Sequence, residues 1–152
     1  MPSKIYVTND QKGVSIDSGQ IRRAAKKILG RLGYDGYELS IVIVADEEMT
    51  RLNRQYFRRN RPTNVISFPM IADGSPALHD KILGDVVISA ETAKRQAEEA
   101  GRRGEEEILF LLIHGILHLV GWDHEGPAQE RRKMEAKEKD LFSLLISPRP
   151  QK

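Results

Sequence analysis

The sequence predicts a single α+β (α/β layered) domain: a small mixed sheet of about four strands with about five helices, one of them a central buried helix over 105–121. Three observations predict it. Strand-like and helix-like patterns follow one another as βαβαβ, loop, β and three helices, an order that layers helices on a sheet. The 152 residues suit one core, and no repeat or linker divides them, so 1–152 reads as one domain with a loose tail over 146–152. Finally, EEEILFLLIHGILHLVG (105–121) is apolar on nearly every side, as a helix enclosed by other elements must be.

The elements follow in order. KIYVTN (4–9) alternates like a strand, and residues 19–33 place Ile21, Ala24, Ala25, Ile28 and Leu32 at helical spacing before Gly33, a suitable left-handed terminator. YELSIVIVA (37–45) is β-branched and apolar, a buried strand, after which Asp46 is expected to cap the helix DEEMTRLNRQYF. VISFP (65–69) and ILGDVVIS (82–89) are strands separated by a Gly, Pro and Asp-bearing loop over 70–81, where His79 is expected to be an ordinary exposed residue. AETAKRQAEEAG (90–101) is a polar helix stopped by Gly101. The central helix begins with Glu105, Glu106 and Glu107 at the positive end of its dipole and ends at Gly121. The last helix, within 127–145, opens on Pro127 and gathers Met134, Leu141, Leu144 and Leu145 on one side.

Composition restricts the function. No long uncharged apolar run is present and MPSKIYVTND has no apolar export segment, so no membrane association and a cytoplasmic location are expected. The absence of cysteine excludes thiolate metal sites, leaving His, Asp and Glu as ligands. The net charge of +2 is unevenly spread. Residues 1–70 hold twelve bases against seven acids, and residues 71–152 hold twelve against fifteen. The strongest local feature is TRLNRQYFRRNRP, where Arg51, Arg54, Arg58, Arg59 and Arg61 surround Tyr56 and Phe57, a combination suited to phosphate pairing and base stacking, or to a merely solvated helix end.

Three of the four histidines fall in HGILHLVGWDHE (114–125). His114 and His118 are four apart on a helix and project from one face, and Gly121 can reverse the chain so that His124 returns to the same point. Three imidazoles make a metal site with an open position, suited to zinc but also to nickel, copper or iron; a structural zinc closed by Asp123 or Glu125 is the alternative. The spacing matches that of metzincin proteases except that Gly115 stands where their general-base Glu would be, which argues against peptide hydrolysis. A metal can ionise water near neutral pH without that carboxylate, and phosphodiester cleavage then needs cations such as the arginines.

HGILHLVGWDHE also resembles the signature of the YbeY-like family, metal-dependent endoribonucleases of ribosomal RNA maturation. The likeness extends to LNRQYFRRNRPTNVISFP (52–69), LGDVVIS (83–89) and MEAKEKDLFSLL, in order over about residues 40–145. It implies one Zn2+ per chain on His114, His118 and His124, two strands beside the metal cleft, and Asp85 near its wall. Asp85 and Asp123 are then expected to support the ligands from behind. The family usually has an arginine after LNxxY; this chain has Phe57 there, so Arg58 takes the catalytic role, within an RNA-binding set of Arg51, Arg54, Arg58, Arg59 and Arg61. Trp122 replaces the more usual Tyr. The implied partners are single-stranded or ribosomal RNA and the small ribosomal subunit or its assembly factors. A non-catalytic assembly factor with a structural zinc and a peptidase-like metal hydrolase are the competing readings.

Overall fold

A computed structural model of the protein describes residues 4–70, 81–122 and 127–146. Within them run β1 (Lys4–Asp10), α1 (Ser18–Leu32), β2 (Glu38–Val44), α2 (Asp46–Phe57), β3 (Val65–Pro69), β4 (Ile82–Ser89), α3 (Ala90–Ala100), α4 (Gly104–Leu119) and α5 (Ala128–Leu145). The α+β class with four strands and five helices is therefore as expected, with boundaries displaced by no more than two residues. The loop interior over 71–80, with His79, and the tail from 147 lie outside the described residues.

The strands form one sheet in the order β1-β2-β4-β3. The first three are parallel, and β3 pairs antiparallel with β4 at one edge. Helices cover both faces of a sheet built around parallel strands, which is why ELSIVIV and ILGDVVIS read as almost continuous apolar runs. One face carries α1, α4 and α5 over a large core that includes Ile28, Leu29, Leu39, Ile41, Ile43, Val86 and Ile88. The other carries α2, whose Met49 joins Val44, Ile66 and Val87 in a smaller cluster.

β4 owes its alternation to Gly84. Pairing with β2 jumps from Ile82 opposite Glu38 to Gly84 opposite Leu39, so one residue bulges out. Gly84 has φ +135°, and a Cβ there would sit 2.2 Å from the Phe68 carbonyl oxygen, so glycine is required. Beyond the bulge, Val86 and Ile88 face the larger core and Val87 the smaller one.

α4 is enclosed by β3 and β4 on one side and by α1, α3 and α5 on the others, and Leu112, Ile113, Ile116 and Leu117 are wholly buried. It ends with Gly121 at φ +98°, whose N–H donates to the His118 carbonyl (3.1 Å) while Trp122 N–H reaches back to Leu117 (2.9 Å). This is the left-handed termination expected of Gly121; the path of the chain on to His124 lies outside the described residues.

One expectation fails locally. Asp46 does not cap α2: the cap position is Ala45, without a side-chain bond, and Asp46 is the first helical residue. Its carboxylate instead accepts from Ser89 Oγ and Thr92 Oγ1 (both 2.6 Å) and pairs with Arg95 (2.8 Å), while its N–H donates to Glu91 (2.7 Å). Three donors from the start of α3 outweigh one bond to its own backbone.

Candidate metal centre and arginine segment

Two of the three expected ligands lie within the described residues. His114 and His118 are one turn apart on α4, partly buried, with ring centroids 4.6 Å apart and planes at 72°. Their Nε2 atoms approach to 3.0 Å. Two nitrogens bound to one zinc at about 2.0–2.1 Å in tetrahedral geometry would stand roughly 3.3 Å apart, so the pair is close to ligating geometry. Asp123, His124 and Glu125 lie outside the described residues. Among the described residues no three His, Asp or Glu side chains converge on one point.

Behind the pair stands a residue the sequence reading missed. Glu138 of α5 is buried, and its Oε2 lies 2.7 Å from His114 Nδ1. The signal was present: Met134, Glu138 and Leu141 share helical spacing, and an acid interrupting a buried stripe needs a polar partner.

Gly115 proves to be a packing residue. A Cβ on it would come within 2.6 Å of Val86 Cγ1, 3.2 Å of Val65 Cγ2 and 3.3 Å of Ser67 Oγ, and Ser67 donates to its carbonyl at 2.8 Å. The position that a protease would give to glutamate is pressed against β3 and β4, with no room for a side chain. Trp122, just past the turn, is partly buried against the main core.

Asp85, expected near the wall of the metal cleft, faces away from α4. Val86 meets Gly115, so alternation turns its neighbour Asp85 to the other side of the sheet. There it lines a groove with Asp10, Glu48, Leu52, Tyr56 and Phe68. The carboxylate beside His114 is that of Glu138.

The arginines belong to that second face and its edge. α2 presents Arg51 and Arg54, then stops at Arg58, which holds φ 56° as a left-handed cap whose N–H donates to the Arg54 carbonyl (3.1 Å). Buried Asn53 secures the following loop by donating to the Arg61 carbonyl (2.8 Å), and Arg59 and Arg61 line a polar cavity with Asn64, Thr92 and Gln96. Arg51 is engaged within the helix: it pairs with Glu48 (2.6 and 2.9 Å) and reaches Gln55 (3.1 Å). Hydrogen bonding from Arg51 holds the Glu48 carboxyl below its ordinary value, against a smaller opposing effect of burial. Arg58, Arg59 and Arg61 are exposed, as are Tyr56 and Phe57, with Tyr56 edge-on to Phe68 at 5.0 Å. The arginine loop leads directly into β3, whose Val65 and Ser67 pack on Gly115, so one strand connects the two candidate sites.

A family model described as Endoribonuclease YbeY matches residues 6–145. Among similar proteins, an Endoribonuclease YbeY of Geobacter sulfurreducens is 49% identical over 143 residues, covering 93% of this chain and 95% of the relative. One of Aquifex aeolicus is 44% identical over 126 residues, covering 83% and 82%. The solution structure of a Thermotoga maritima protein has the same fold, with a TM-score of 0.65 at 23% identity over 97% of this chain and 99% of that one.

Proposed function

The chain belongs to the YbeY endoribonuclease family, and from that premise we propose that it is a single-strand-specific, metal-dependent endoribonuclease of ribosomal RNA processing and ribosome maturation. The observation that carries the metal centre is the approach of His114 Nε2 to His118 Nε2 at 3.0 Å on a buried helix. In this reading His114, His118 and His124 hold one zinc ion, and the whole of 1–152 acts as one domain.

Zinc bound there would supply Lewis acidity that ionises water near neutral pH and polarises a phosphoryl oxygen. The chain's own residues do the rest. α4 presents two imidazoles from one face, a turn apart, and Gly115 lets that helix pack closely on β3 and β4. Arg58, Arg59 and Arg61 are free of acidic ion pairs among the described residues and hold phosphates, with Arg58 nearest in role to the arginine that Phe57 replaces. Tyr56 and Phe57 offer ring faces to unstacked bases, which favours single strands. Ribosomal RNA in the small subunit is the substrate in this reading, encountered in the cytoplasm; among the described residues no helix is long and apolar enough to cross a membrane. The peptidase alternative is not favoured, because position 115 has no space for a general base.

The test is elemental analysis joined to RNA cleavage. Purified protein should carry about one zinc per chain and cut single-stranded RNA, and His114→Ala and His118→Ala should lose both properties while Arg58→Ala loses cleavage alone. Metal-loaded wild type that leaves RNA intact would overturn the nuclease reading.

A further inference from the structure

A buried carboxylate needs compensation, and among the described residues Glu138 has it from His114. Its side chain is 9% exposed, it sits between Met134 and Leu141 on the face of α5 that enters the core, and among the described residues its hydrogen-bond partner is His114 Nδ1 at 2.7 Å. The neighbouring Lys137 turns instead to Asp140.

We propose that Glu138 is a positioning residue that fixes the tautomer and rotation of His114, presenting its Nε2 lone pair to the metal. The inference rests on the three-histidine metal reading and adds to it a residue on a different helix. A carboxylate oxygen accepts, so the imidazole proton stays on Nδ1 and the lone pair stays on Nε2. That nitrogen already faces His118 Nε2. The same bond ties α5 to α4 across 24 residues of sequence, so the ligand's ring is held by an element that contributes no described ligand of its own. The geometry also explains why an acid is retained on an otherwise apolar stripe, where leucine or methionine would pack without desolvating a charge.

The experiment measures zinc affinity by competition with a chromophoric chelator for wild type, Glu138→Ala, Glu138→Gln and His114→Ala, alongside the histidine tautomers of metal-free and zinc-loaded wild type by proton–nitrogen correlation NMR. Glu138→Ala should bind zinc about 10–100-fold more weakly. Glu138→Gln, whose amide oxygen still accepts from Nδ1, should recover most of the loss, a rescue that a purely packing role would not produce. In wild type His114 should be protonated on Nδ1 with and without zinc. Affinity unchanged in Glu138→Ala while His114→Ala abolishes binding refutes the positioning role and leaves the metal site standing. Absence of zinc binding in wild type refutes the metal reading itself. Should Glu138→Ala fail to fold, the wild-type tautomer still decides: a His114 proton on Nε2 contradicts the proposal.

Discussion

At residue scale the decisive position is one with no side chain. The sequence alone tells a reader that Gly115 cannot be a general base; only the packing tells why nothing else can stand there. Alanine would gain about 1 kcal/mol of helix propensity over glycine. Its methyl, however, would lie 2.6 Å from Val86 Cγ1, a short β-branched side chain fixed in the core, and such overpacking costs about 1–3 kcal/mol. Gly115→Ala should therefore lower stability by up to about 2 kcal/mol in chemical denaturation. Combining it with Val86→Ala should cost less than the two separate losses added together, because the smaller residue makes the space. Strict additivity of the two would mean that the contact does not limit the packing. The approach of His114 to His118 was legible because residues four apart on a helix share a face. Glu138 was not, since its meaning depends on α5 folding back across α4, which spacing within α5 does not encode.

Elements were legible where one pattern spans the whole segment. The strand over 82–89 and the helix stopped by Gly101 match their expected limits, because apolar runs and left-handed glycines act locally. Asp46 was misread for the opposite reason: its partners lie more than forty residues away. That carboxylate joins the first turn of α2 to the start of α3. Burial raises its pKa, but bonds from Ser89, Thr92 and Arg95 and the charge of Arg95 outweigh this and hold it below the ordinary value. A lowered folded-state pKa means a stabilisation fully present above the unfolded value of about 4 and lost as pH falls through the folded one. Asp46→Asn should cost about 1–3 kcal/mol at neutral pH, and the gap from wild type should close in acid below pH 4. Thermal melts between neutral pH and pH 3 measure it; a gap constant over that range would exclude Asp46 as the titrating group.

At the scale of the whole molecule, charge and chemistry are divided between the two faces of the sheet. The arginines gather around α2 and the loop before β3, and the histidine pair lies on the α4 side, so an RNA strand held as proposed would pass the β3 edge to meet both. Electrostatic attachment of that kind depends on salt, with a slope of about −0.7 per phosphate contact for single strands. Measured by fluorescence anisotropy on metal-free protein from about 50 to 200 mM salt, Arg58→Ala and Arg59→Ala should each flatten the slope by about one contact. Arg51→Ala, whose charge is already taken by Glu48, should change it least. Equal slopes for all three variants would remove the arginine loop from the RNA path. This division was only half legible: the sequence reveals the basic segment, but which face it occupies follows from strand order.

The bond from α5 to His114 also has a direction in time. Synthesis delivers β1, β2 and β4 before the histidines of α4, and Glu138 of α5 after them. α4 is covered by β3 and β4 on its sheet side and by α5 on another, and the carboxylate beside His114 comes from α5. The contact that steadies the His114 ring therefore depends on a helix that follows α4 in the chain and packs back across it.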